Sequence, residues 1–544
     1  MKKKKVFLLY PLLLAMLVTI SGSFSAADSQ QSGEKHREEK VCQKSKVSDG
    51  INEKELETHV KFLAHDDRSG RFPGTPGYMA AAEYVRARLK EYGLEAVCQD
   101  ETGRNSFFQT VPMRHFKYGK GNRITVKSPK GEKVFRNLID FFFESPGEGG
   151  SRTITGTPVF IGCGIHEPGV WDDLAGLDIK GKPVFLMQYF PPKKNGEHVL
   201  PRELRQKYTY GFYSLYKYPA ILERGASCII HVLHHKQAAE WELNLTTSHC
   251  FALRPVPPYG AEWQFTPPVP EVTASKTMID YFFADKGFDP IQRKGSYERF
   301  EFDGYEMTIE LDVTEERINS PNVVGLVRGT DPVLKNTYIA VGAHLDHLGI
   351  FQGQVFNGAN DDASGCAALL AASRELVKNP PKRSVIFTFF TGEESCLSGS
   401  RYFVEHSPVP LKQIQTFINL DEVGGKKGDN SPMFIAVGAL PKITTQLEKI
   451  MTAAGKHLDR AKLKIDKTEL EPYRLRWVDQ FNDWVDQYSF LKKGIPIISI
   501  GTIPGTGVDW HTPGDDVETI NFEHLHQVTR FIYALVSELG NRKI

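Results

Sequence analysis

Three apolar, β-prone runs in the C-terminal half of the chain each break at a side chain able to bind metal. YIAVGAHLDH loses its apolar character at His344, SVIFTFFTGEE at Glu393 and Glu394, and TFINLDEVG at Asp421. Runs of about five to eight such residues, separated by helical stretches like CAALLAASRELVKN, read as buried strands of an α/β sheet. In that architecture the crevice lies beyond the carboxyl ends of the strands. Three strand ends therefore carry imidazole and carboxylate groups to one crevice. The expected fold class is α/β, a doubly wound mixed sheet flanked by helices, with a small β-rich domain inserted.

Two more motifs add donors of the same kind: Asp361 in NGANDDASG and His511 in DWHTPGDD. A mixture of carboxylate and imidazole suits Zn(II) better than the harder Ca(II) or Mg(II), so His344, Asp361, Glu394, Asp421 and His511 read as a two-zinc hydrolase site. Each motif alone has a plainer reading. A strand-end His or Asp is commonly a hydrogen-bonded loop residue, HTPGDD is a good turn, and Glu393–Glu394 suits a helix start. Their joint occurrence, in one order and all at strand or turn junctions, favours metal.

Motif by motif, His344 to Asp346, Gly358 to Gly365, Gly392 to Glu394, Asn419 to Asp421 and His511 to Pro513 resemble the co-catalytic di-zinc aminopeptidases that include bacterial leucyl aminopeptidases. The stretches RFPGTPGYMAAAEYVRARLKEYGLEAV and SPNVVGLVRG are similar to the first helix and first strand of that family. The resemblance implies a zinc exopeptidase fold and two Zn(II) per chain, bridged by Asp361. His344 and Asp421 would complete one site, Glu394 and His511 the other. Glu393 would be the general base. Asp346 and Asp515 would orient His344 and His511 through their distal ring N–H groups. A cis peptide after Asp361 is also implied.

This chain departs from the family pattern at two places. Trp510 precedes the last histidine, where many members carry a Tyr whose hydroxyl supports the oxyanion; an indole N–H donates one hydrogen bond, but Trp is also a packing residue. In VDQYSF, residues 485–490, Gln487 replaces a family histidine. That segment would line the substrate pocket, so a leucine preference does not carry over.

The 544 residues hold 67 basic and 66 acidic side chains, for a net charge of +1, which gives no reason to expect nucleic acid as a partner. The expected partners are peptides. Met1 to Lys5 is a positive n-region, Val6 to about Ile20 an apolar h-region, and SGSFSAAD supplies small residues for cleavage near Ala26 or Ala27. The apolar stretch is shorter than the ~20 residues that span a bilayer, so export of a bacterial type, with no membrane attachment after cleavage, is the expectation; an uncleaved anchor is the alternative. The domain reading is a signal peptide at 1–27, a polar disordered leader at 28–48, a first part of the peptidase at 49–150, an insert at 151–270, and the metal-bearing remainder at 271–544. The insert resembles a protease-associated domain, notably in LDIKGKPVFL and RGASCIIHV, and carries no catalytic set; a lid and a passive spacer both fit.

Seven cysteines match no zinc-finger spacing or dense disulfide framework. A Cys228–Cys250 pair is one reading, Cys396 reads as structural, and His231, His234 and His235 read as a surface patch. Glutaminyl cyclases share the sheet but lack the first His ligand, which this chain keeps as His344. Carboxypeptidases share the scheme and are not separated from aminopeptidases by these residues. A peptide-binding protein with a vestigial site is the non-enzymatic reading, opposed by the complete ligand set and base.

Overall fold

A computed structural model describes residues 50–209, 213–250, 252–256, 267–427, 433–438, 450, 454, 485–502 and 509–542. The signal-peptide and leader readings lie outside these residues. The described residues fall in one compact unit, Val47–Ile544.

The larger layer is a nine-stranded mixed sheet. Its strands are β1 (Phe108–Tyr118), β2 (Leu253–Pro255), β3 (Val313–Val327), β4 (Tyr338–His344), β5 (Ser384–Phe390), β6 (Ile414–Leu420), β7 (Met433–Gly438) and β8 (Ile497–Thr502), in the spatial order β2-β1-β3-β5-β4-β6-β8-β7, with Glu95–Ala96 added against β3. The centre, β5-β4-β6-β8, is parallel, and antiparallel pairing is confined to the flanks. These central strands read as unbroken apolar runs because helices cover the sheet. Helices α1 (Glu53–Leu63), α2 (Pro76–Tyr92), α4 (Gly365–Lys378) and α5 (Phe522–Asn541) contribute Leu56, Val85, Leu369 and Phe531 to the same core as Val341, Phe387 and Ile418. In α4 the alanines 367, 368, 371 and 372 are all buried. Small side chains on that face let the helix axis lie close to its neighbours.

Register sets the site. His344 pairs with Phe390, so β4 and β5 end level with one another, and Gly342 pairs with Asn419, which brings Asp421 level with His344. Gly342 is required here: a Cβ at that position would lie 2.6 Å from the Phe390 ring and 2.8 Å from the Phe417 ring.

A second, six-stranded sheet orders Phe300–Glu301, Val159–Phe160, Pro183–Met187, Cys228–Val232, Glu271–Ala274 and Phe141–Ser145. Its strands come from both sides of the 151–270 stretch, which also holds helices, among them Tyr213–Glu223 and α3 (Trp241–Cys250). Its core is aromatic, with Phe185, Phe282 and Phe302 packed edge to face and tilted, and Phe160 edge to face with Phe283. His231 is buried in this layer, beside Tyr218 and Glu271, and is not part of a surface patch. Cys228 and Cys250 are both buried free thiols, so they form no disulfide. Among the described residues no helix is long and apolar enough to cross a membrane.

Lys217, on the helix Tyr213–Glu223, is fully buried and donates to the carbonyls of Met187 (3.2 Å) and Tyr189 (2.7 Å). Burial pulls its ammonium down to about 8, from about 10.4 in an unfolded chain. Below the folded value both states are charged, and the folded one carries a desolvation penalty of about 3 kcal/mol. Between the two values the unfolded state holds more protons, so this group's contribution to stability rises with pH and the penalty disappears. The stability advantage of Lys217→Met over the parent is therefore expected to fall by about 3 kcal/mol between pH ~7.5 and ~10.5, measured by urea unfolding. A difference independent of pH would refute this account of Lys217.

Candidate metal centre

β4 delivers His344 as its last residue, β6 ends one residue before Asp421, and the turn after β5 carries Glu393 and Glu394. Asp361 comes from the tight segment Ala359–Ser364 ahead of α4, and the Asp361–Asp362 peptide is cis. His511 follows β8. All five residues converge. His344 Nε2 lies 2.9 Å from Asp361 Oδ1 and 3.6 Å from Asp421 Oδ1. His511 Nε2 lies 3.4 Å from Asp361 Oδ2 and 3.0 Å from Glu394 Oε2. The two carboxylate oxygens of Asp361 thus face different imidazoles, the arrangement a bridging ligand needs.

Electrostatics follow from this crowding. Burial alone would raise the Asp361 carboxyl, but the imidazoles of His347, His344 and His511 hold it well below the usual range. Burial likewise opposes ionisation of Glu394, yet His511 and His347 keep it at about 2. Glu393 is pushed well above the ordinary carboxylate value by burial, with Glu394, Asp421 and Asp486 adding to the effect and His344 opposing it. Asp421 is also raised, chiefly by burial.

The neighbours of His344 and His511 differ from the sequence expectation. Asp346 was expected to hold His344 with its carboxylate. Instead, His344 Nδ1 is 3.0 Å from the main-chain oxygen of Asp346, the nearer carboxylate oxygen is 3.9 Å away, and that oxygen accepts from the backbone N–H of Glu393 at 3.1 Å. The two-residue spacing bends the chain back so that a carbonyl arrives first. Asp515 was expected to orient His511; its carboxylate accepts instead from the N–H groups of Asn360 (2.8 Å) and Asp361 (3.0 Å), gripping the bridging segment. Asp362 ties three motifs together, accepting from the N–H groups of His344 (3.3 Å), Gly365 (2.9 Å) and Glu422 (3.2 Å).

His511 is held from an unforeseen direction. Thr247 of α3 lies with Oγ1 3.2 Å from His511 Nδ1, and the same hydroxyl donates to Leu243 O at 3.0 Å. With its one proton committed to Leu243, the hydroxyl oxygen accepts from Nδ1–H, which leaves the Nε2 lone pair facing Asp361 and Glu394. Trp510, 39 % exposed, stacks on the His511 ring at 3.7 Å and 18°. Gln487 is buried at the start of the helix Gln487–Lys492. Thr247→Val is expected to weaken zinc binding about 10–100-fold, as losses of ligand-orienting partners do, and Thr247→Ser to restore it. Competition with a chromophoric chelator checks both.

The residue sequence reasoning missed is His347. It is fully buried, with Nδ1 2.9 Å from Glu394 Oε1 and 3.8 Å from Asp361 Oδ2. The H-x-x-H spacing in GAHLDH was the available signal. Arg71, also unforeseen, is buried and donates to the carbonyls of Leu63, Leu345, Asn357 and Gly358.

The donor set fits metal ions. His344, Asp361 and Asp421 form one group of converging ligand atoms, and His347, Asp361 and Glu394 form another. Glu394 Oε1 and both ring nitrogens of His347 are buried without a hydrogen-bond partner in the protein. Unpartnered buried polar atoms of this kind are costly unless a ligand completes them.

Residues 322–536, which span the site, match peptidase family M28. The match covers less than half of the chain. Relatives by sequence include a probable leucine aminopeptidase 2 of Aspergillus oryzae, 26% identical over 239 residues (39% of this chain and 43% of that protein). An aminopeptidase of Pseudomonas aeruginosa is 33% identical over 126 residues, 23% of this chain and 22% of that protein. The matched stretches thus span less than half the length of these relatives. In fold, the chain is similar to an aminopeptidase from Aneurinibacillus sp. strain AM-1 (TM-score 0.56, 17% identity, 91% of this chain and 95% of the other). It is also similar to a zinc aminopeptidase from Bacillus subtilis (TM-score 0.52, 18% identity, 90% and 96%).

Proposed function

We propose that this chain is a zinc-dependent aminopeptidase that removes N-terminal residues from peptides, and that two zinc ions would be held on either side of Asp361. The observation that carries the reading is the pair of converging imidazole and carboxylate groups joined through the two oxygens of Asp361. His344 and Asp421 would hold one ion, Glu394 and His511 the other. Bound zinc would supply Lewis acidity, polarising the scissile carbonyl and lowering the pKa of water.

The chain's own residues do the rest. Glu393 adjoins a ligand in sequence and serves as general base, its carboxylate taking a proton from the attacking water and returning it to the leaving amine. Asp346 steadies Glu393 by accepting its backbone N–H. Asp362 and Asp515 fix the backbone on either side of the bridging carboxylate. Asp486 is buried and Asp421 and Glu422 are partly buried beside these residues, and burial pushes all three carboxyls above the ordinary carboxylate value. The aminopeptidases that the chain is similar to support the amino end of the substrate over the carboxyl end. We read residues 151–270 as an inserted module, from which α3 reaches the site through Thr247. The basic, then apolar, then small-residue start of the chain supports export, with the mature terminus after Ala26 or Ala27.

The test is digestion of one peptide with a free N-terminus beside its N-acetylated twin by zinc-loaded enzyme, followed by mass spectrometry. A ladder of N-terminal losses from the free peptide alone is expected. Loss of C-terminal residues from both twins would establish a carboxypeptidase, and no cleavage of either would favour a binding protein.

A further inference from the structure

We propose that His347 is itself a metal ligand, its Nδ1 giving the locus of Asp361, Glu394 and His511 a second imidazole donor. The inference rests on the two-metal reading above and extends it.

His347 Nδ1 and Glu394 Oε1 are only 2.9 Å apart, yet neither makes a hydrogen bond. The pair therefore does not point atom to atom. Two buried donors that approach this closely without facing each other are aimed at a common third point, as ligands of one cation are. The spacing agrees. With metal–ligand bonds of about 2.0–2.1 Å, tetrahedral zinc ligands lie about 3.3 Å from one another. The measured separations around this locus are 2.9 Å (His347 to Glu394), 3.8 Å (His347 to Asp361), 3.4 Å (His511 to Asp361) and 3.0 Å (His511 to Glu394).

The ring is held in this pose by its surroundings. The His347 backbone N–H donates to Arg71 O at 3.4 Å, and its ring meets that of His511 edge to face at 5.8 Å and 68°. Gly358 makes room for it: a Cβ there would stand 2.4 Å from His347 Cγ. That glycine also has φ +56, where any other residue would be strained.

The two loci then differ in kind. One has four protein donors, two of them imidazoles, and is closed like a structural zinc site; the other, with His344, Asp361 and Asp421, has three and keeps an open position like a catalytic one. The imidazole-rich locus holds its ion more tightly, so a chelator removes one equivalent from the wild-type protein well before the other.

The test uses full-length protein stripped of metal and titrated with Zn(II) and Co(II). The wild type should bind two equivalents. His347→Ala should lose more than the roughly 100-fold that marks the removal of an orienting neighbour, at one equivalent only. Because Nδ1 lies close to the backbone, a thiolate at this position can replace it, and His347→Cys loaded with Co(II) should show the thiolate-to-cobalt charge-transfer absorption that the wild type lacks. His347→Gln, which keeps hydrogen-bonding capacity but is a poor zinc ligand, should behave as the Ala variant does. Wild-type affinity in His347→Ala, or recovery in His347→Gln with no charge-transfer band in His347→Cys, overturns the proposal and leaves His347 as a neighbour of Glu394. A wild-type protein that binds no metal instead overturns the two-metal reading itself.

Discussion

Glu393→Gln is expected to lower kcat by about 10²–10⁴-fold, the usual worth of a positioned proton-transfer group, with metal content unchanged. Gln has the shape of Glu but cannot accept the proton released by the attacking water. Its effect should stop there, because Glu393 belongs to neither group of converging ligand atoms, which draw instead on Glu394 from the same turn. The backbone contact is also preserved, since it is the N–H of residue 393 that Asp346 accepts. Single-turnover rates together with elemental analysis of the loaded protein check the expectation. A variant retaining most of its turnover would remove Glu393 from the mechanism, while one that loses metal would mean that Glu393 is a ligand.

Arg71→Met should destabilise the fold by about 3–5 kcal/mol and empty the metal centre with it. The guanidinium is fully buried and bridges four carbonyls: Leu345 at 2.7 Å, Leu63 at 2.8 Å, Asn357 at 2.5 Å and Gly358 at 2.9 Å. Those carbonyls belong to the end of α1, to the turn carrying His344 and His347, and to the segment that leads into Asp361. Removing the cation leaves buried acceptors without donors and frees the two ligand-bearing turns from each other. Lysine should not rescue it, because an ammonium at one point cannot span acceptors arranged around a planar fork. Urea unfolding of the metal-free protein isolates the stability term, and zinc titration reports the site. A loss below about 1 kcal/mol, the net worth of an ordinary hydrogen bond, would show that the turns are held by other contacts.

Much of the site was readable because several of its converging side chains stand at the ends of strands. An apolar run that stops at His344 or just before Asp421 shows both a buried strand and what lies at its mouth, since only the strand end can carry a polar group into the crevice. Asp361 and His511 were readable from their motifs and not from periodicity, as both lie in turns. The supporting contacts were less accessible. Asp346 and Asp515 were the right residues with different tasks, because whether a carboxylate meets an imidazole or a backbone N–H depends on a bend of two or three residues that spacing does not encode. His347 carried a weak signal in H-x-x-H. Thr247 carried none, as it reaches His511 from a helix 264 positions away in the chain.

By itself the sequence determined the α/β class, the buried strands of a mixed sheet and the imidazole and carboxylate chemistry of five motifs, because hydrophobic run length and side-chain chemistry are local properties. Only the tertiary structure decided which oxygen of Asp361 faces which imidazole, that His347 stands beside Glu394, that Arg71 ties the turns of His344 and Asp361 together, and that α3 reaches His511. Those are distances between segments far apart in the chain, set by strand register and helix packing.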